Sequence, residues 1–227
     1  MVKIKLCGFT QAQDVEQAVS LGADAIGLNF YAPSKRYISL DQASELARQI
    51  PPFCSAVGLF VNPDREFVVE ALRQVPLNLL QFHGEEPPEF CSQFDAPYIK
   101  VHKVSTENTD AAAIATELRE LSASYNLAKG FLIDTQVPGE PGGTGQSYNW
   151  KMMQAAIADC KSEGLFVNQV LIIAGGLTPS NVADCIACLQ PYAVDVSSGI
   201  EASPGKKSAE KIRDFIANVR SVEYQSS

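Results

Sequence analysis

Eight short apolar runs, each followed by a stretch of helical period, predict an α/β chain whose parallel strands close into a single-domain (β/α)8 barrel, the TIM-barrel architecture. Two further observations favour closure over an open, doubly wound sheet. Most of the runs are continuously apolar, the pattern of parallel strands covered on one face by a barrel interior and on the other by helices. No Gly-x-Gly-x-x-Gly fingerprint follows the first strand, where an open dinucleotide-binding sheet would carry it. No linker or low-complexity tract divides the 227 residues, so 1–227 is expected to be one domain around one large core.

The expected strands are 2–7, 25–30, 55–60, 78–82, 98–102, 130–135, 169–174 and 193–197. The helices between them are expected at 11–22, 42–50, 65–75, 87–94, 109–125, 149–164, 180–189 and 208–222. Start signals mark several of them: Asp41 and Asp64 stand before the second and third helices, and Thr178-Pro179 before the seventh. In a barrel of this kind, the C-terminal strand ends and the loops that follow them surround one mouth. Residues at those positions carry the functional reading.

Composition narrows the classes. A net charge of −8 with scattered Lys and Arg argues against a nucleic-acid partner, which needs a basic face to displace counterions. No run approaches the roughly 20 apolar residues of a membrane helix, and no cleavable leader pattern opens the chain, so a cytoplasmic protein without a membrane partner is expected. A barrel of this length needs no disulfide staples, and the six cysteines are expected to be reduced. Cys185 and Cys188 have Cys-x-x-Cys spacing but sit in an apolar helical segment without a second pair, which favours helix-core cysteines over a redox or zinc site. Apolar residues on outer helices fit a monomer or a homodimer equally well.

At the mouth, Cys7 ends the first strand and precedes Gly8, where the chain turns out of the barrel. It reads either as a buried small hydrophobe or as a general base, the second if Lys5 or loop dipoles favour the thiolate. Asp134 ends the sixth strand after four apolar residues, either as a loop cap or as a general acid kept partly protonated by burial. The loop after the sixth strand carries Gly143 and Gly145; Gly175 and Gly176 follow the seventh strand, and Ser198 and Gly199 follow the eighth. Glycine-rich loops side by side, two of them where barrels commonly hold phosphate, favour a phosphate site. Lys35 reads as a solvated loop charge, whereas Arg36 can present a planar fork to a carboxylate. His83, after the fourth strand, is a candidate substrate contact, with His102 behind it.

The segments KLCGFT (5–10), GADAIGLNF with SKR (22–36), VGLFVN (57–62), QFHGEE (81–86), IDT (133–135), GGTG (142–145), IAGGLTPSNV (173–182) and VDVSSGIE (194–201) together resemble the phosphoribosylanthranilate isomerases of tryptophan biosynthesis. The resemblance runs over nearly the whole chain. It implies an Amadori rearrangement of N-(5-phosphoribosyl)anthranilate to 1-(2-carboxyphenylamino)-1-deoxyribulose 5-phosphate, with a small phosphosugar as the partner and neither a metal nor an organic cofactor. It further implies Asp134 as the acid that opens the ring, Cys7 as the base that removes the C2′ proton, Arg36 on the anthranilate carboxylate, and the glycine loops with Ser198 on the phosphate. Phe9 and Phe82 stand where smaller aliphatic residues are usual, and Asn149 and Ser208 where Asp is usual, which puts mouth packing and helix starts in question.

Two other readings compete. Another phosphosugar barrel, such as a lyase, would want a lysine at a strand end, and Lys100 or Lys103 could supply it. A noncatalytic phosphate-binding protein would keep the glycine loops but has no use for the Cys7 and Asp134 pair.

Overall fold

A computed structural model describes residues 1–105, 110–136 and 149–222. In chain order it contains β1 (Lys3–Cys7), α1 (Ala12–Ser20), β2 (Ala25–Asn29), α2 (Leu40–Ala47), β3 (Ser55–Phe60), α3 (Arg65–Gln74), β4 (Leu79–Phe82) and α4 (Pro88–Cys91). It continues with β5 (Tyr98–Ser105), α5 (Ala111–Ser124), β6 (Gly130–Gln136), α6 (Trp150–Ser162), β7 (Val170–Ile173), α7 (Val182–Leu189) and β8 (Ala193–Val196). After a 3₁₀ turn (Ser198–Ile200) come β9 (Glu201–Ser203), β10 (Lys206–Lys207) and α8 (Ala209–Ser221). Strands β1 to β8 pair in parallel and in order, and β8 closes onto β1 with Lys5 opposite Asp195.

The alternation of side chains along each strand divides the buried residues into two shells. Ile4, Leu6, Ile26, Leu28, Phe131, Ile133 and Val194 pack outward, in one cluster with helix residues such as Val15, Val68, Leu118 and Phe215. Ile99, Val101, Leu132, Ile172, Ala174 and Ala193 form a separate inner cluster. That inner apolar cluster draws mainly on β5 to β8, with Leu79 of β4 packed against it. On the β1 side the interior is polar, occupied by buried Lys5 and Asp195.

Phe82 belongs to the outer shell: its ring meets Phe60, Phe90, Phe94 and Tyr98. Its size therefore bears on how α4 docks, not on the mouth. Phe9 is fully buried with the Lys207 ammonium 5.4 Å from its ring centre.

Several helix starts differ from expectation. Helix α2 is capped by Ser39, not Asp41: Ser39 Oγ accepts from Gln42 N while Gln42 Oε1 accepts from Ser39 N, a reciprocal pair that Asp41, already inside the helix, does not make. Helix α7 starts at Val182 after Asn181, because Asn181 ties itself to Thr178 N and to Gly176 O and holds the Thr178-Pro179 segment in a turn. Helix α4 is a single turn, with Ser92 N closing on Pro88 O and the chain then leaving the helix toward Phe94. Asn149 and Ser208 each cap their helix through the side chain, so both do what an Asp would do there. The β9–β10 hairpin was not expected; it places Glu201 and Lys207 opposite each other.

Loss of the Ser39 cap is expected to cost about 1 kcal/mol. Urea unfolding of Ser39→Ala should show this, while Asp41→Ala should stay within about 0.5 kcal/mol of the parent. The reverse order would return the cap to Asp41.

Candidate active site

Cys7, Asp134 and the glycine loops after β7 and β8 gather at the C-terminal rim of the barrel, each delivered by the end of a strand. Cys7 is the last residue of β1 and lies 5% exposed against β2. A Cβ on Gly27 would stand 2.6 Å from the Cys7 sulfur, so the absence of a side chain at Gly27 makes room for the thiol. Around it the charges oppose one another. Burial pushes the thiol up, the Lys5 and Lys207 ammonium groups pull it down, Asp195 pushes it up again, and the net result lies above the ordinary value. Lys5 therefore favours the thiolate, but burial and Asp195 outweigh it.

Lys5 Nζ stands 2.8 Å from Asp195 Oδ1, with both side chains almost fully buried. Burial alone would pull the Lys5 ammonium down; Asp195 and Cys7 more than offset that and hold it above its ordinary value. The sequence carried a signal for this pair, since a charge within a strand covered on both faces needs a partner. Asp195 was nonetheless missed as a site residue.

Asp134 lies toward the end of β6, opposite Lys103 of β5, with its side chain a quarter exposed. Its Oδ2 is 3.4 Å from His83 Nε2. His83 extends β4, its backbone N–H donating to Phe60 O, and its Nδ1 sits 3.0 Å from Gln81 Nε2. The loop that follows is fixed by Glu86, whose buried carboxylate accepts from the backbone N–H groups of Asn62 and Gly84 and pairs with Lys100 Nζ at 2.7 Å. His83 is thus brought to the rim beside Asp134. His102 faces away, its Nε2 3.0 Å from Glu117 on α5.

Lys100 is likewise on the outer side of the barrel, paired with Glu86 and lying 5.6 Å from the centre of the Tyr125 ring. This removes one of the two lysines on which the lyase reading depends. Lys103 is exposed at the rim.

Arg36 does form a two-point fork to a carboxylate, but the carboxylate belongs to the protein. Its Nε donates to Glu201 Oε1 at 2.7 Å and its Nη2 to Glu201 Oε2 at 2.8 Å. The stem of Arg36 runs over Gly8, leaving no room there for a side chain. Glu201 also accepts from Lys207 Nζ at 3.0 Å. Burial would push the Glu201 carboxyl up, and the two cations more than reverse this. Glu201 and Lys207 were not singled out from sequence: in the polar segment EASPGKKS (201–208) nothing local sets these two charges apart from their neighbours.

Of the phosphate candidates, Gly175 and Gly176 both adopt left-handed backbone after β7, and Ser198 and Gly199 form the 3₁₀ turn after β8. The two loops touch: a side chain on Gly199 would collide with the carbonyl of Leu177. Gly143 and Gly145 lie outside the described residues. All six cysteines are free, and Cys185 is buried in α7. Among the described residues, no group of three or more His, Cys, Asp or Glu is arranged to hold a metal, and no helix is long and apolar enough to cross a membrane.

A family model described as "N-(5'phosphoribosyl)anthranilate (PRA) isomerase" matches residues 4–218. An N-(5'-phosphoribosyl)anthranilate isomerase of Pseudomonas fluorescens is 46% identical over 219 residues, 96% of this chain and 98% of that one. The crystal structure of phosphoribosyl anthranilate isomerase from Thermotoga maritima superimposes with a TM-score of 0.82 at 36% identity, covering 97% of this chain and 99% of that one. A second such isomerase structure, in complex with reduced 1-(o-carboxyphenylamino)-1-deoxyribulose 5-phosphate, gives a TM-score of 0.77 at 34% identity, covering 97% and 99% of the two chains.

The charge arrangement around Cys7 makes a signed prediction for its thiol. Lys5→Met removes a cation that lowers the Cys7 titration, and Asp195→Asn removes an anion that raises it. Alkylation of Cys7 by iodoacetamide at pH 8, followed by peptide mass mapping, should be slower in the first variant and faster in the second. Shifts of the same sign would refute this electrostatic account.

Proposed function

The chain belongs to the N-(5'-phosphoribosyl)anthranilate isomerase family, and we propose that its barrel mouth carries out the rearrangement with Asp134 as general acid and Cys7 as general base. It is an isomerase of tryptophan biosynthesis that converts N-(5'-phosphoribosyl)anthranilate to 1-(2-carboxyphenylamino)-1-deoxyribulose 5-phosphate. The observation that carries the residue assignment is that an acid and a thiol, from strands β6 and β1, end at the rim on which the β7 and β8 loops also converge.

Asp134 protonates the furanose ring oxygen as the C1′–O bond breaks and the anthranilate nitrogen's lone pair forms the C1′=N bond of a cationic Schiff base. Cys7 takes the proton from C2′, and the electron pair moves into the iminium to give an enolamine, which tautomerises to the ketone. The free thiol sits high because burial disfavours its charged form. A cationic Schiff base bound beside it adds to the pull of Lys5 and Lys207 and favours the thiolate at the step that needs it. Arg36 holds the anthranilate carboxylate, and His83 contacts the substrate beside Asp134.

Gly175, Gly176, Ser198 and Gly199, with Gly143 and Gly145 from the loop after β6, hold the phosphate through backbone N–H groups and the Ser198 hydroxyl. Residues 1–227 form one domain, active in the cytoplasm as a monomer or homodimer, with no cofactor and no nucleic-acid partner.

Cys7→Ser is expected to lower kcat by at least ~10²-fold with little change in stability. Asp134→Asn should abolish most turnover while keeping the fold and the affinity for a phosphate analogue, because an amide can hydrogen-bond the ring oxygen but cannot protonate it. Well-folded Asn or Ser variants with near-parental turnover would remove the corresponding role. Arg36→Lys should weaken binding of the carboxylated substrate far more than that of an analogue without the carboxylate, since a fork becomes a point contact.

A further inference from the structure

Arg36 is shared. Of its five guanidinium hydrogens, the one on Nε and one on Nη2 are taken by Glu201, which leaves the edge formed by Nη1 and the second Nη2 hydrogen as a bidentate face for another carboxylate. A guanidinium already paired with a carboxylate is a poor anchor for a second anion, because the pair is neutral and the second anion meets the first. Something must cancel the charge of Glu201 for Arg36 to act as a cation toward substrate.

Lys207 is placed to do this. Its side chain is fully buried, and its three ammonium hydrogens have three acceptors: Cys7 O at 2.6 Å, Ser197 O at 3.1 Å and Glu201 Oε1 at 3.0 Å. Lys211 also reaches Glu201, but at its backbone carbonyl, 2.7 Å away. One carboxylate thus lies between two cations and the set carries a net positive charge. Lys207 is sealed from solvent whereas the Arg36 side chain is 21% exposed, so that charge reaches the mouth through Arg36.

We propose that Lys207 is a positioning residue for substrate recognition: by neutralising Glu201 it leaves Arg36, held on one edge by Glu201, with its charge and its second edge available for the carboxylate of the substrate's aryl ring. This rests on the reading of Arg36 as the carboxylate anchor. Because the two carbonyls that Lys207 also holds are those of Cys7, at the end of β1, and Ser197, just after β8, the same ammonium fixes the anchor relative to the base and to the phosphate turn.

An equilibrium measurement separates this role from turnover and from any effect of Lys207 on the Cys7 thiol. Calorimetric titration uses two inert ligands, reduced 1-(o-carboxyphenylamino)-1-deoxyribulose 5-phosphate and its phenylamino counterpart without the carboxylate. Lys207→Met should weaken the carboxylated ligand about tenfold and the carboxylate-free ligand less than about twofold. In an Arg36→Met background the same change should cost nothing further on either ligand. Lys207→Gln, which can still donate to the Cys7 and Ser197 carbonyls, should give the same selective loss and serves if the Met variant does not fold. Equal losses on both ligands, or an undiminished loss in the Arg36→Met background, would overturn the role of Lys207 while leaving Arg36 as the anchor. If Arg36→Met itself spared the discrimination between the ligands, the anchor assignment would fall and the inference with it.

Discussion

A charge inside a barrel must find its partner inside the barrel, and the seam where β8 closes on β1 is built around that constraint. Lys5 and Asp195 face each other across it, register partners in the sheet and ion partners at 2.8 Å. Removing either one would leave the other uncompensated in a nearly dry interior, a change that typically costs about 3–5 kcal/mol for a buried pair. The opposite wall, from β5 to β8, is filled with Ile, Val, Leu and Ala. The buried Lys5–Asp195 pair thus lies at this seam, while Asp134 and His83 bring polar groups to the rim from β6 and β4.

Above that pair the same seam carries the Cys7 thiol and the groups that surround it. The Cys7 sulfur lies against Gly27, and the Cys7 carbonyl receives both the Ser197 hydroxyl and the Lys207 ammonium. Lys207 passes the connection to Glu201, and Glu201 to Arg36. Four elements from the two ends of the chain are thus tied by charge-assisted hydrogen bonds: the end of β1 and the loop after β2 with the end of β8 and the β9–β10 hairpin. In the proposed mechanism, preorganisation of this kind fixes where a carboxylate and an abstracted proton go before any substrate arrives. Asp134 stands apart on β6, steadied from β4 through His83, which in turn rests on Gln81 and the Glu86-bound loop.

What the sequence made legible follows from the range of the interactions involved. Strand periodicity and length are local, and all eight barrel strands formed within a few residues of expectation. Cys7 and Asp134 could be picked out because a strand end in this fold has only one destination. Arg36 was recognisable as a carboxylate ligand by its chemistry, yet Glu201, its partner here, is 165 residues away, and no spacing rule links the two. The choice of Ser39 over Asp41 as a cap turned on which of two capping residues could reciprocate with Gln42, a geometric matter. Lys100 and His102 were ambiguous because residues in a strand buried on both faces do not announce which side they take; the structure sends both outward, to Glu86 and Glu117.

The most direct measurement is turnover of N-(5'-phosphoribosyl)anthranilate by the unaltered chain, with deuterium at the ribose C2 position. Fluorescence of the anthranilate moiety and NMR of the sugar would be followed together. An acid–base isomerase at this mouth predicts conversion of the substrate to the open-chain ketose, with deuterium lost from C2 in every product molecule. Stoichiometric binding of the substrate, with the sugar recovered unchanged and its label in place, would contradict the account and leave a phosphate-binding barrel without the chemistry.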